Sequence, residues 1–169
     1  ININNPIVLI IYNRIFHTRK ILDCLKNFNY NKIYIIADGP KNNNLDVSLV
    51  KKTRFLIDLK LKNKKVIKIY SKFNLGLRIR IITGLNEVFK KEKTAIILED
   101  DCLPTEEFFC FINLMLKRYK NNKKISSICG SNHLSTWKSS DSSYLISKYF
   151  NSWGWATWSV KWKNLITRD

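Results

Sequence analysis

The sequence predicts an α/β fold in which a mainly parallel central sheet is flanked by helices. Three observations predict it. Short apolar, β-branched runs alternate with segments whose apolar residues recur at helical spacing, and this alternation continues to residue 101. The runs end in polar residues: Tyr12-Asn13-Arg14, Asp38-Gly39-Pro40 and Glu99-Asp100-Asp101. The 169 residues, 45% hydrophobic and 25% charged, suffice for one core. With no internal repeat or linker, residues 1–169 read as a single domain.

Pro6 to Tyr12 is a continuous apolar run of the kind found in a strand buried on both faces. From Thr18, the residues Ile21, Leu22, Leu25 and Phe28 fall at helical spacing, and Lys32 to Ala37 returns to strand composition. Asp38-Gly39-Pro40 and the run Asn42 to Asn44 mark a loop. A helix carrying Leu45, Leu49, Leu56, Ile57 and Leu61 is followed by a strand at Val66 to Tyr70. The loop Asn74-Leu75-Gly76 feeds a helix with Leu77, Ile81, Leu85, Val88 and Phe89 on one face, and Thr94 to Leu98 forms the next strand. Beyond residue 101 the spacing predicts a helix over about Thr105 to Tyr119, with Phe108, Phe111, Ile112, Met115 and Tyr119 inward, and a short strand at Ile125 to Cys129. Trp155, Trp158 and Trp162 follow i, i+3, i+7 spacing, which predicts a buried helix face.

A net charge of +17 points first to nucleic acid or an anionic membrane. The composition weakens that inference, because 23 Lys, 23 Ile and 19 Asn mark a bias of the whole chain. The lysines are also dispersed, mostly at expected helix ends and turns, where a cation complements the helix dipole. Cys24, Cys102, Cys110 and Cys129 form no CxxC pair, which argues against a zinc site or disulfide framework. No apolar run reaches membrane-spanning length and no signal-like segment opens the chain, so a cytoplasmic setting is expected. Ile1 in place of Met, and an unfinished helical pattern at the end, read as part of a longer protein. The signatures of dinucleotide-binding folds, P-loop NTPases and α/β-hydrolases are absent from the sequence. His17 and His133 read as a helix-start residue and a loop residue.

The most informative segment is Glu99-Asp100-Asp101, three carboxylates closing an apolar strand in a chain with only 13 acids. Such a cluster repels itself and is costly to desolvate, and a divalent cation would offset both. Strand alternation sets Glu99 and Asp101 on one face and Asp100 on the other. Asp101, the outermost, is the expected metal contact. Glu106 and Glu107 read instead as acids stabilising a helix N-terminus opened by Pro104 and Thr105. Arg14 could meet a phosphate in bidentate fashion, and Asp38 sits at a matching strand end.

The ordered set Tyr12-Asn13-Arg14, Asp38-Gly39-Pro40, Asn74-Leu75-Gly76-Leu77, Glu99-Asp100-Asp101 and Trp153-Gly154-Trp155 resembles the nucleotide-sugar glycosyltransferases of the GT-A fold. The closest likeness is to bacterial enzymes similar to N-acetylglucosaminyltransferase I. The acidic triple looks like that family's version of the DxD motif. The resemblance implies a Rossmann-like nucleotide-sugar fold, a UDP-sugar donor, and Mn²⁺ or Mg²⁺ bridging its phosphates. It implies Asp101 on the metal, Asp100 and Glu99 on the ribose and donor sugar, Asp38 on the uracil and Arg14 on the diphosphate. Tyr12, Asn74 and Gly76 join the donor site, with the Asn74–Leu77 loop beside the phosphates and Arg78 or Arg80 adding a cation. Trp153, Gly154 and Trp155 correspond to a loop shaping the sugar and acceptor pocket, with Trp158 and Trp162 in the core.

The implied reaction is an inverting transfer to a hydroxyl of a glycan or lipid-linked glycan in surface polysaccharide or lipopolysaccharide synthesis. Contact with an anionic membrane at its inner face would suit such an acceptor, and no specific nucleic acid is expected. Asp141 and Asp169 are the only acids after residue 107, so no catalytic base is assigned and one is expected beyond residue 169. Two other readings remain: a metal-dependent nucleic-acid enzyme using the same acids, and a non-catalytic glycosyltransferase-like binding domain.

Overall fold

A strand buried on both faces needs apolar side chains at every position, and Ile7–Ile11 and Ile33–Ala37 meet that requirement along their whole length. A computed structural model of the chain describes residues 2–62, 64–132 and 143–166. His133, Asp141 and Asp169 therefore lie outside the described residues. The elements, in chain order, are β1 (Asn2–Ile3), β2 (Ile7–Ile11), α1 (Ile15–Leu25), β3 (Asn29–Tyr30), β4 (Ile33–Ala37), α2 (Asn44–Lys60) and β5 (Val66–Tyr70). They continue with α3 (Leu77–Phe89), β6 (Thr94–Glu99), α4 (Glu106–Arg118), β7 (Ser127–Cys129), β8 (Trp155–Trp158) and α5 (Ser159–Ile166).

Six strands form one sheet in the order β5-β4-β2-β6-β8-β7, and β1 pairs with β3 apart from it. The four strands β5, β4, β2 and β6 are parallel, in the register Ile7 to Ile33 and Ile7 to Ile96. β8 runs antiparallel to β6, and β7 antiparallel to β8, so the sheet is mixed at one side. Helices α1, α2 and α4 cover one face through Leu22, Leu25, Ile57 and Ile112, while α3 and α5 cover the other through Leu85, Val88 and Trp162. From β2 the strand order proceeds to β4 and β5 on one side and to β6 on the other, all four strands pointing the same way. The order therefore reverses between β2 and β6, and in such sheets that is where ligands bind, beyond the carboxyl ends.

Capping explains two helix starts. The Asn43 side chain accepts from the Asp46 N–H at 2.8 Å to open α2, and the Thr105 hydroxyl accepts from the Phe108 N–H at 3.2 Å to open α4. Glu106 and Glu107 occupy the first turn of α4 and Lys117 and Arg118 its last, as the helix dipole favours.

The structure corrects three expectations. Trp155 and Trp158 lie on a strand, with Trp162 on the following helix. Their spacing fits a helix, but β6 needed a partner on its open side, and the pairing of Trp155 to Ile97 and Trp158 to Thr94 provides it. On α4 Ile112 and Met115 are buried as expected, but the other fully buried residues are Phe109 and Leu116, while Phe108, Phe111 and Tyr119 are only partly buried against the same core. Leu45 and Leu77, expected inward, are exposed in the first turns of α2 and α3.

Candidate active site

The carboxyl ends of β2, β4, β5 and β6 deliver Arg14, Asp38, Asn74 and Asp100 to one side of the sheet. A cavity of about 310 Å³ opens there, lined by Tyr12, Arg14, Asp38, Lys41, Asn74, Gly76, Arg80, Glu99 and Asp100 over apolar Ile10 and Ile81. A second cavity of about 240 Å³ is lined by Asp101, Cys102, Phe108, Gly130, Ser131, Trp153 and Gly154. Consecutive acids thus serve different cavities. β6 ends at Glu99, and the Cys102 N–H bonds back to the Glu99 carbonyl at 3.0 Å. That turn breaks the expected alternation, setting Glu99 and Asp100 together and Asp101 apart.

Arg14 holds the two cavities' acids in one network. Its Nε donates to Asp100 Oδ2 at 3.2 Å, its Nη2 donates to Asp100 Oδ1, and its Nη1 donates to Asp101 Oδ2 at 3.2 Å. Asp100 is 2% exposed, so this fork replaces its lost hydration. Burial pushes the Asp100 carboxyl up against the opposing pull of Arg14. Burial, then the charges of Asp101 and Asp100, also raise Glu99. For Arg14, burial lowers the guanidinium, but Asp100 and Asp101 outweigh it and leave it raised. The acidic turn Glu99-Asp100-Asp101 therefore carries more negative charge than Arg14 alone compensates.

Asp38 takes a different position from a side chain that simply faces a ligand. Its Oδ1 accepts from Gly39 N–H at 2.9 Å and Leu75 N–H at 3.0 Å, and its Oδ2 from Gly76 N–H at 2.9 Å. It thereby ties the end of β4 to the loop before α3. Asn74 completes the tie, donating to the Gly39 carbonyl at 2.8 Å and the Tyr12 hydroxyl at 3.2 Å. Gly76 turns the chain into α3 with φ +78°, a conformation an L side chain resists even though open space surrounds it.

Sequence reasoning missed Asp46. It accepts from Tyr12 Oη at 2.5 Å, Asn13 Nδ2 at 2.6 Å and the Lys41 N–H at 2.5 Å, joining β2 to the loop after β4. Burial pushes its carboxyl up, but those hydrogen bonds prevail and hold it below the ordinary value. The Tyr12 phenol, half-buried and bonded to that carboxylate, is pushed up to about 12 and stays protonated. An acid in the first turn of a helix reads as a dipole partner, so only the fold shows this second task. The choice between Arg78 and Arg80 is also structural: Arg80 turns inward to the larger cavity, whereas Arg78 is exposed.

Trp153 and Gly154 precede β8, whose antiparallel course brings them beside the end of β6. Trp153 is 55% exposed at the smaller cavity. Gly154 has φ +66°, and a Cβ there would lie 2.9 Å from Phe108 Cε2. Trp155, expected with them, packs in the core against Phe150 and Trp162 and does not line the cavity. Trp158 and Trp162 are buried. Burial raises the Cys102 thiol, so it stays protonated.

Asp101 is the carboxylate here that could hold a divalent cation. Among the described residues, no three His, Cys, Asp or Glu side chains converge as a metal cage. Asp100 is engaged by Arg14, whereas Asp101 is partly exposed and touched by a single Arg14 nitrogen. A cation here would take one carboxylate from the protein and its other ligands from phosphate and water, as Mg²⁺ and Mn²⁺ readily do.

No family model and no curated protein matches the chain. Among solved structures it is similar to a mannosyltransferase from Pyrobaculum calidifontis in complex with GDP-Man and Mn²⁺, at 14% identity over 74% of this chain, with a TM-score of 0.47. The chain spans 34% of that protein's length. It is also similar to a 4-diphosphocytidyl-2C-methyl-D-erythritol synthase from Anaerococcus prevotii, at 12% identity over 98% of this chain and 78% of that one, also with a TM-score of 0.47.

Proposed function

We propose that this chain is the donor-binding domain of a metal-dependent glycosyltransferase that moves a sugar from a UDP-sugar to a hydroxyl of a glycan or lipid-linked glycan. One observation carries the reading: the acidic turn after β6 divides its carboxylates between two adjoining cavities and is bound to Arg14. The larger cavity suits a nucleoside diphosphate. The smaller one, apolar at Leu98 and Phe108 and edged by Trp153, suits a sugar ring. The resemblance of the ordered motifs to those of GT-A nucleotide-sugar glycosyltransferases supports a nucleotide-sugar donor, which we take to be a UDP-sugar.

In this reading Asp101 would hold Mn²⁺ or Mg²⁺ together with the diphosphate, and the cation would supply charge stabilisation for the leaving group. Arg14, pivoting from Asp100, would pair with the same oxygens. Asp38 contributes by fixing the Asn74–Gly76 loop against which the base would lie. Tyr12 presents its ring beside that loop, with its hydroxyl held by Asp46. Glu99 and Asp100 would accept from ribose and sugar hydroxyls. Leu145, Ile146 and Tyr149 are exposed on the segment leading to Trp153, which supports an amphiphilic acceptor near an anionic membrane surface.

Calorimetry with UDP-sugars tests the reading. Mn²⁺ is expected to tighten binding to wild type and to leave Asp101→Ala unaffected while that variant keeps its melting temperature. Equal Mn²⁺ enhancement in both proteins would sink the assignment. Steeply salt-dependent binding to DNA or RNA with no response to UDP-sugars would favour a nucleic-acid enzyme instead.

A further inference from the structure

The larger cavity holds a cation whose hydrogen-bonding capacity is not fully used. Arg80 closes the first turn of α3, its backbone N–H returning to the Gly76 carbonyl at 3.0 Å. Its side chain lies inward, and the residue is 6% exposed. Two guanidinium nitrogens, Nε and Nη2, are shielded from solvent and have no hydrogen-bond partner. Gly84, one turn on, makes room for this placement, since a Cβ there would lie 3.0 Å from Nη2.

A buried charge in this state is unfavourable until something pairs with it. The acids lining the same cavity do not: Asp100 is held by Arg14, Asp38 accepts from the loop backbone, and neither orphan nitrogen bonds Glu99. Arg54, half-buried, donates to the carbonyls of Asp38 and Ser71 and adds positive charge nearby. Lys41 lines the cavity as well. An oxyanion suits this environment best, because two of its oxygens can accept from the adjacent Nε and Nη2 while the helix start favours its charge.

We propose that Arg80 and the first turn of α3 form a metal-independent subsite for a phosphate of the bound nucleoside diphosphate. The proposal rests on the larger cavity being the nucleotide site. It adds that part of the diphosphate affinity persists without a divalent cation, and that Arg80 rather than Asp101 carries that part.

Inorganic pyrophosphate in excess EDTA is the probe, followed by calorimetry and thermal unfolding. Wild type is expected to bind it and to melt at a higher temperature in its presence. Arg80→Met, similar in length but without charge, is expected to bind about tenfold to a hundredfold more weakly. Without ligand it is expected to melt above wild type, because the unpaired charge is gone. Arg80→Lys keeps the charge without the fork and is expected to fall between them. Pyrophosphate binding to Arg80→Met as tight as to wild type, or none to wild type in EDTA, overturns the subsite. The two claims separate cleanly: pyrophosphate loss in Arg80→Met without any UDP-sugar response in wild type keeps the subsite and rejects the glycosyltransferase reading. Mn²⁺-enhanced UDP-sugar binding that Arg80→Met leaves intact does the reverse.

Discussion

Asp46 and Arg14 show how single side chains shape this site. Asp46 gathers Tyr12, Asn13 and the Lys41 N–H, so Asp46→Ala leaves three donors without their acceptor and is expected to cost about 1–3 kcal/mol in urea unfolding. Its folded-state pKa is lowered, as is that of Glu92, where burial raises the carboxyl but Lys32 and Tyr34 bonds outweigh it. The unfolded chain therefore binds more protons below the ordinary carboxylate range, and stability falls as pH drops through that range toward the lowered values. Asp46→Asn and Glu92→Gln should each flatten this acid limb, measured as the pH dependence of the urea midpoint. The acidic triple was legible because carboxylates are scarce in this chain and three close one apolar strand. Asp46 was not, because its partners come from residues 12, 13 and 41 and meet only in the folded sheet.

The elements that position the site depend on a few backbone contacts. The loop before α3 is held by Asp38 through the Leu75 and Gly76 N–H groups. Asp38→Asn exchanges one accepting oxygen for a donor facing donors, and is expected to destabilise by about 1–3 kcal/mol. Amide hydrogen exchange should quicken first at Leu75 and Gly76, and unchanged protection there would contradict the anchoring role. Gly76→Ala meets no steric neighbour, so its expected cost of about 1–3 kcal/mol comes from the backbone alone, whose φ of +78° and ψ of +157° lie in a region essentially reserved for glycine. The parallel strands were readable because burial on both faces demands unbroken apolar runs. β8 was not, since three tryptophans at helical spacing also suit a short strand followed by a helix, and the choice was made by the open edge of β6. The phase of α3 was equally hidden, and Arg80 could be told from Arg78 only once the helix start at Leu77 was known.

At the scale of the molecule, charge and topology serve different ends. The net charge of +17 is dispersed, whereas five of the 13 acids fall between Glu99 and Glu107, with Glu99, Asp100 and Asp101 at the strand-order reversal. Among the described residues no helix is long and apolar enough to cross a membrane. The sheet core needs its apolar contacts more than its surface charge: Leu9→Ala, at a fully buried central position, is expected to cost about 2–5 kcal/mol. Exposed Lys117→Ala is expected to change stability by less than about 0.5 kcal/mol. The proposed function depends most on the acidic turn between the two cavities. Its most direct test is calorimetric titration of wild type and Asp101→Ala with UDP-sugars, each with Mn²⁺ and with EDTA. Mn²⁺ is expected to strengthen binding to wild type about tenfold or more and not to strengthen binding to Asp101→Ala. Mn²⁺-enhanced binding of equal size in the two proteins, or no UDP-sugar binding to wild type under either condition, would contradict it.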